Sequence, residues 1–340
     1  MNNKYESLEN SDPSQSLLDW IREEKKLTGT KEGCAEGDCG ACSVLISPIN
    51  GGRSKPVNSC IIKLGQVVGS TITTVEGLGD SNKPNLVQEK LVKNSGSQCG
   101  FCTPGIVIAL SGLLNNENNI NNYKIHDALA GNLCRCTGYN PIIKSMQNIN
   151  YKKFNIIEGT KWDKCSSFEN FDTNFYFPLT INQALKYLAK NKNVKIIAGG
   201  TDLNLNNSGY SSYLMLNRIA SLRKIKLTNK SLIVGSSSTL DDILPVIENK
   251  LPYLSKIIRR FGSTQIRSMA TIAGNISTAS PIGDIAPTLI VLGAVIELIS
   301  SSGTRKVPIE KFFKGYRKTI IKNSEFIKNI VIPLPSNEEF

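Results

Sequence analysis

Apolar residues recur at helical spacing near the start of the chain, and short apolar runs then alternate with glycine-rich loops. Residues 14–24 carry apolar side chains at helical spacing and predict a short amphipathic helix. Residues 42–46 and 57–64 are apolar enough for two strands, and residues 51–53 are predicted as the hairpin turn between them. A helix, a loop and a hairpin together predict a small α+β domain over residues 1–79.

Helical spacing dominates residues 84–150 and predicts a four-helix bundle. The predicted helices cover residues 86–93, 106–114, 125–129 and a stretch from Pro141. Thr103 and Pro104 are residue types of the N-cap and N1 positions, so a helix is expected to begin there.

Residues 151–176 lack a clear period and are predicted to form a linker, with Cys165 as a spare thiol. The remaining residues, 177–340, mix both periods and predict a second α+β domain. Its predicted helices cover residues 179–190, capped by Thr180, and a stretch from Leu240. Its predicted strands cover residues 194–198, 232–235, 294–300, 304–307 and 327–332.

The composition, with 40% hydrophobic and 20% charged residues, is that of a globular protein. The length of 340 residues predicts roughly two to three domains. No run approaches the ~18 apolar residues of a membrane span, and the polar N-terminus lacks the apolar core of a secretory signal, so a cytoplasmic protein is expected. The net charge of +12 comes from scattered Lys and Arg and predicts a basic surface rather than nucleic-acid binding.

Eight of the nine cysteines form two compact groups of four, which metal sites explain better than disulfides do. The first group has the C-x4-C-x2-C spacing of a plant-type [2Fe–2S] site and a later fourth ligand, namely Cys34, Cys39, Cys42 and Cys60. The glycines of this loop let it wrap tightly and aim backbone N–H groups at sulfur. A zinc site is the alternative.

The second group comprises two pairs that each precede a predicted helix, namely Cys99, Cys102, Cys134 and Cys136. The positive end of a helix favours a net-negative metal–thiolate assembly, so these residues predict a second [2Fe–2S] centre, again with zinc as the alternative. The single histidine, His126, lies on a helix away from the cysteines and is predicted to be a surface or packing residue.

Two stretches rich in small residues are candidates for a ligand site in the last domain. The strand ending at Ala198 runs into Gly199-Gly200-Thr201, whose N–H groups and hydroxyl suit a pyrophosphate, although a plain turn is the alternative. This is not the G-x-G-x-x-G fingerprint. The small residues of 261–284 leave room for a flat ligand whose hydroxyls Thr278 and Asp284 can bond, with a tight turn between strands as the alternative.

The segments GCAEGDCGAC, QCGFCTPG and GNLCRCTGYNP, with Cys60 after the first, resemble the two-cluster region of the xanthine dehydrogenase family of molybdenum hydroxylases. This match covers residues from about 16 to 143. AGGTDL and IRSMATIAGNI…SPIGD resemble the flavin domain of that family. The resemblance implies an α+β multidomain protein with a β-grasp [2Fe–2S] ferredoxin domain, a four-helix-bundle [2Fe–2S] domain and a vanillyl-alcohol-oxidase-like FAD-binding domain.

The same resemblance implies the residues of the FAD site. The pyrophosphate is expected at Ile196, Ile197, Ala198, Gly199, Gly200, Thr201, Asp202 and Leu203, and the isoalloxazine near Phe261. The rest of the site is expected at Thr271, Ile272, Ala273, Gly274, Asn275, Thr278 and Asp284.

The resemblance further implies the electron-transfer subunit of a xanthine dehydrogenase, in a heterotetramer of two small and two molybdopterin-binding large subunits. A purine is hydroxylated on the large subunit, and electrons pass to the Cys99 group, the Cys34 group and FAD, with NAD+ as the final acceptor. Gln98 and Cys136 are expected nearest the pterin of the partner. The chain shows no acid–base or nucleophilic constellation, so its expected work is to hold and tune cofactors.

Two other functions fit the sequence. The chain could serve another molybdenum hydroxylase, one that acts on an aldehyde or an N-heterocycle. It could instead be a non-enzymatic iron–sulfur carrier without flavin, since the C-terminal subdomain and the first hairpin of the family are expected to be missing or shortened here.

Overall fold

A computed structural model describes residues 1–47, 50–147, 149–150, 157–161, 167–170, 172–205 and 210–335. The chain divides into two compact units. Unit 1 comprises Met1–Cys165 and Gly262–Ile266, and unit 2 comprises Ser166–Phe261 and Arg267–Phe340. No helix of the described residues is both long and apolar enough to cross a bilayer.

The first part of unit 1 is a three-stranded antiparallel sheet beside a short helix. The helix α1 (Leu17–Asp19) continues as a π-helical turn, Trp20–Glu24, and buries Trp20. The strands are β1 (Ser43–Ser47), β2 (Asn50–Arg53), β3 (Lys55–Asn58) and β4 (Thr71–Thr73). The sheet has the order β3-β1-β4, whereas β2 pairs with β5 (Glu158–Lys161).

Two sequence predictions in this part are wrong. Residues 51–53 form strand β2 rather than a hairpin turn, because they pair with residues 158–161, far along the chain. The second predicted strand ends at Asn58, and Cys60 lies in a single 3₁₀ turn, Ser59–Ile61. This turn redirects the chain, so the fourth cysteine faces the loop that holds the first three.

The rest of unit 1 is helical around one apolar cluster. The helices are α2 (Leu86–Lys93), α3 (Thr103–Asn116), α4 (Asn122–Leu129) and α5 (Asn140–Met146). Their buried residues include Val87, Leu91, Ile106, Leu110 and Ile142. The predicted helix positions are confirmed, except that Cys102 and not Thr103 occupies the N-cap of α3.

Unit 2 contains a mixed four-stranded sheet and an antiparallel five-stranded sheet. The helices are α6 (Ile181–Lys190), α7 (Leu240–Ile247), α8 (Pro252–Arg260), α9 (Thr264–Arg267, shared with unit 1), α10 (Ile272–Thr278) and α11 (Ile285–Val291). The strands are β6 (Ser167–Asn170), β7 (Thr173–Tyr176), β8 (Val194–Ile197), β9 (Ser212–Met215), β10 (Ile225–Leu227), β11 (Ser231–Gly235), β12 (Val295–Ser300), β13 (Gly303–Pro308), β14 (Phe313–Gly315), β15 (Lys318–Thr319) and β16 (Phe326–Pro333).

The sheet orders are β6-β7-β9-β8 and β10-β11-β16-β12-β13, with β14 and β15 as a separate pair. The cap of α6 is confirmed, since Thr180 Oγ1 accepts a hydrogen bond from Gln183 N.

The stretch predicted as a linker holds regular structure, because β5, β6 and β7 all lie between residues 157 and 177. One of these strands pairs with a segment far away in the sequence, and the others mix polar with apolar residues. The sequence therefore shows no regular hydrophobic period in this stretch. Cys165 lies outside the described residues.

An ion pair joins Arg305 on β13 to the buried carboxylate of Glu325, the residue just before β16. Arg305 Nε and Nη2 donate to the two carboxylate oxygens of Glu325 at 2.9 and 2.8 Å, and only 7% of the Glu325 side chain is exposed. The Arg305 guanidinium lowers the pKa of Glu325 below its ordinary value of 4.5, against the effect of burial.

We expect Glu325→Gln to lower the free energy of unfolding by about 1 kcal/mol at neutral pH. The expected effect is this small because Arg305 is partly exposed, so that water screens the ion pair. Since the folded-state pKa is lowered, this stabilisation is full above about pH 4.5 and is lost as the pH falls through the folded value. Urea unfolding of the full chain at pH 7 and pH 3 measures the difference.

Glu248→Gln is the matched control, because Glu248 pairs with Arg259 at 2.6 Å but is 55% exposed. We expect it to change stability by less than about 0.5 kcal/mol at either pH. A Glu325→Gln effect that stays constant between pH 7 and pH 3 would contradict the assigned role of the carboxylate.

Candidate metal centres and flavin site

The loop of the first cysteine group is folded around sulfur. Three backbone N–H groups, those of Glu36, Asp38 and Cys39, point at Cys34 Sγ at 3.5, 3.3 and 3.3 Å. Gly37 and Gly40 have φ of 87° and 68°, which lets the loop turn inside so few residues. Backbone donors of this kind favour a thiolate over a thiol.

The four thiols of this group meet in two pairs, Cys34 with Cys39 and Cys42 with Cys60. The Sγ atoms of Cys42 and Cys60 lie 3.3 Å apart. This contact lowers the pKa of Cys42 to about 7 and, together with burial, raises the pKa of Cys60. Burial alone would raise the pKa of Cys34, but the N–H donors outweigh it and lower the pKa.

The second group has the same paired arrangement, with Cys99 beside Cys136 and Cys102 beside Cys134. Burial and the Cys134 thiol raise the pKa of Cys102 to about 12. The hydroxyl of Thr137 lies 3.1 Å from Cys134 Sγ and lowers the pKa of Cys134 against the effect of burial. Cys99 and Cys136 are exposed, whereas Cys134 is buried.

Two pairs of thiols fit a two-iron cluster, in which each tetrahedral iron takes two thiolates and shares two sulfides. The eight cysteines are free thiols and form no disulfide with one another. In the described ranges, no three or more His, Cys, Asp or Glu side chains are grouped as the ligands of one metal ion. Each group offers four thiols, and thiolate sulfur is the ligand that a [2Fe–2S] cluster requires, so these residues fit such a cluster.

The two cysteine loops touch each other inside unit 1. Leu133 N donates to the carbonyl oxygen of Cys39 at 3.0 Å, and Asn132 Nδ2 donates to that of Gly40 at 3.1 Å. A Cβ atom on Gly40 would lie 2.1 Å from the carbonyl oxygen of Gly131. The loops thus approach so closely that only glycine fits between them.

The candidate flavin residues of unit 2 gather around the turn after β8 and the start of α10. A Cβ atom on Gly199 would lie 2.1 Å from the carbonyl oxygen of Met269, so the Gly-Gly-Thr turn packs directly on the chain entering α10. Gly200 has φ of 80°, the left-handed conformation that a backbone nest uses. The structure therefore brings the two predicted stretches, 196–203 and 271–275, together.

The second stretch is helical, so the alternative of a tight turn between strands is wrong. Thr271 caps α10 by accepting from Gly274 N at 2.9 Å, and Thr278 Oγ1 donates to the carbonyl oxygen of Gly274 at 3.2 Å. Asp284 occupies the N-cap position of α11 without a side-chain hydrogen bond there. Phe261 follows α8 and is half-buried.

Several buried polar atoms near α10 have no hydrogen-bond partner in the protein. Asn275 Oδ1 is one, and sequence reasoning had included this residue. It missed the buried hydroxyls of Ser236, Ser237, Ser238 and Ser268. A buried polar atom without a partner is costly unless a ligand or water satisfies it, and a Cβ on Gly274 would meet only Thr271 Oγ1. These residues fit a polar ligand bound beside α10.

The two remaining predicted residues are both exposed. His126 is exposed on α4, as predicted for a surface residue. Gln98 directly precedes Cys99 and is exposed at the end of the loop before α3.

Three family models match the chain in succession. A model described as 2Fe-2S iron-sulfur cluster binding domain matches residues 2–64, and one described as [2Fe-2S] binding domain matches residues 74–147. A model described as FAD binding domain in molybdopterin dehydrogenase matches residues 168–335.

Curated relatives match nearly the whole chain. Xanthine dehydrogenase from Emericella nidulans is 31% identical over 405 residues, which cover 97% of this chain and 30% of that protein. Aldehyde oxidase 1 from Bos taurus is 29% identical over 414 residues, with 100% and 31% covered. The chain thus spans about three-tenths of the length of these relatives.

A solved structure of reconstituted CO dehydrogenase from Oligotropha carboxidovorans is 25% identical, with a TM-score of 0.47, and the match covers 50% of this chain and 61% of that chain. The order of the three family matches and the identity to xanthine dehydrogenase lead to one conclusion: the chain belongs to the xanthine dehydrogenase-type iron–sulfur/FAD proteins.

Proposed function

We propose that this chain is the electron-transfer part of a xanthine dehydrogenase-type oxidoreductase. It passes electrons from a molybdenum centre on a partner chain to FAD and then NAD+, through the Cys99 group first and the Cys34 group second. The observation that carries this proposal is the pairing of eight free thiols into two four-thiol sites whose loops touch. The clusters and the flavin, when bound, supply the one-electron and hydride chemistry.

The residues of the chain hold and shield these groups. The N–H donors of Glu36, Asp38 and Cys39 stabilise the negative charge on Cys34, and such hydrogen bonds to sulfur set the reduction potential of a cluster. The exposure of Cys99 and Cys136 supports the proposal that this group accepts electrons from outside the chain. A molybdopterin-binding partner, in a heterotetramer of two small and two large subunits, is part of the same proposal.

The flavin domain is proposed as the exit for electrons. The match to an FAD-binding model over residues 168–335 supports it, as do the unpartnered Asn275 Oδ1 and the Gly199 turn beside α10. In this proposal residues 196–203 hold the pyrophosphate, Phe261 lies near the isoalloxazine, and Thr278 and Asp284 bond the remaining hydroxyls.

The substrate is proposed to be a purine, hydroxylated on the partner. An aldehyde or an N-heterocycle is the second candidate, because the match to an aldehyde oxidase covers the whole of this chain at 29% identity. The identity to a xanthine dehydrogenase is 31%. Steady-state assays of the assembled complex with xanthine and with an aromatic aldehyde decide between the two.

Cys99→Ser tests the assignment of the second group. We expect the variant to keep about two of the four irons, since one of two [2Fe–2S] sites loses a ligand. We also expect it to lose electron transfer from the partner and to retain NADH-to-dye activity, because the flavin and its acceptor site lie beyond that cluster in the proposed order. Iron and sulfide content of anaerobically purified protein measures the first effect.

Cys165→Ser is the matched control, because this ninth cysteine belongs to neither group. It should leave both the iron content and both activities unchanged. Equal loss of the two activities in Cys99→Ser would reverse the proposed cluster order, and zinc in place of iron in the parent protein would refute the proposal.

Asn275→Ala tests the flavin site. Removing a buried acceptor that bonds a ligand should weaken FAD binding on the order of tenfold, because one hydrogen bond contributes about 1–1.5 kcal/mol. Fluorescence titration of the deflavinated protein with FAD measures the dissociation constant. Asn329→Ala is the control, since Asn329 donates to Glu297 on strand β12 at 2.8 Å; equal FAD affinity in Asn275→Ala and the parent would argue against a ligand at this atom.

A further inference from the structure

A five-residue segment from the second half of the chain, Gly262–Ile266, folds as part of unit 1. Within it Gln265 is 1% exposed, and its Nε2 donates to Asn132 Oδ1 at 2.8 Å and to Ser43 Oγ at 3.4 Å. Both partners are themselves buried, each with 2% of its surface exposed. A single amide therefore bonds two side chains that are 89 positions apart along the sequence.

Each of these partners lies beside a cluster ligand. Ser43 directly follows Cys42, and its Oγ donates to the carbonyl oxygen of Gly40 at 2.7 Å. Asn132 lies two residues before Cys134 and donates to that same carbonyl oxygen at 3.1 Å. Gln265 thus bonds both loops at the point where they meet.

The segment packs closely against the second cysteine loop at Gly131. A Cβ atom on Gly131 would lie 2.4 Å from Ser263 Cβ and 2.5 Å from Gln265 Oε1. The segment is held at its other side by Thr264 Oγ1, which donates to the carbonyl oxygen of Asp127 at 3.1 Å. Close packing of this kind fixes positions, because buried groups that lose contact have no alternative partner.

We propose that Gln265 is a positioning residue that holds the two cluster-binding loops at one fixed separation. It touches no ligand sulfur and acts through Asn132 and Ser43. This inference rests on the proposed function, because the separation matters only when both clusters are present. With Gln265 in place, the Leu133 N–H group stays bonded to the carbonyl of Cys39, a direct link between the backbones of the two groups.

Gln265→Met tests the proposal, since methionine keeps the length of the side chain and removes the donor. The full chain is loaded with both clusters and fully reduced with dithionite, and the magnetic interaction between the two clusters is measured by low-temperature EPR. We expect the interaction splitting to shrink or vanish while iron content per chain stays at about four. Release of iron to a chelator should also become faster, on the order of tenfold.

Thr264→Val is the matched control, because it removes a hydrogen bond from the neighbouring residue without reaching either cysteine loop. Its splitting should equal that of the parent protein. If Gln265 had only a structural role, both Gln265→Met and Thr264→Val would change the stability of the protein. The EPR splitting of the cluster-loaded protein would then stay unchanged.

Asn132→Asp carries the same test if Gln265→Met does not fold. Its Oδ1 still accepts from Gln265, and only the Nδ2 bond to the carbonyl oxygen of Gly40 is lost. The link from Gln265 through Asn132 to the first loop is then broken, so the splitting should shrink. Unchanged splitting in a loaded variant overturns the inference, whereas a parent protein that binds no iron overturns the proposed function instead.

Discussion

The close approach of Gly40 and Gly131 is the contact on which the rest of unit 1 depends. No Cβ atom fits between the two backbones at this point, so main-chain atoms of the two cysteine loops lie in direct contact. Gly105, at the start of α3, continues this contact, because a Cβ there would lie 2.2 Å from the carbonyl oxygen of Gly40. Side-chain hydrogen bonds from Asn132 and Gln265 add to this main-chain contact, and both loops lie within one compact unit.

Unit 2 contains a group of buried polar atoms without a hydrogen-bond partner in the protein. Asn275 Oδ1 and four serine hydroxyls are buried without a hydrogen bond, and each is expensive in a folded protein unless something satisfies it. The elements that carry them, the end of β11 and the flanks of α10, also meet through the bridge between Thr239 and Thr271. Such a concentration is typical of a ligand site rather than of a core.

Local signals in the sequence predicted the helices and the two groups of cysteines, because spacing, caps and glycines act over a few residues. Thr180 and Thr271 cap helices, and only the first of these was recognised as a cap. The pairing of β2 with β5 and the return of Gly262–Ile266 to unit 1 could not be predicted, because their partners lie 105 or more positions away. Gln265 was missed for that reason: its neighbours in sequence give no sign of Asn132 or Ser43.

The two thiols of each pair differ in the direction of their pKa shift. In every pair the first partner has a lowered pKa and the second a raised one: Cys34 and Cys39, Cys42 and Cys60, Cys99 and Cys136, Cys134 and Cys102. Two adjacent thiolates repel each other, so ionisation of one thiol in a pair disfavours ionisation of the other. In the proposed function, bound iron would supply the positive charge that lets the second thiol ionise, and its binding would release protons.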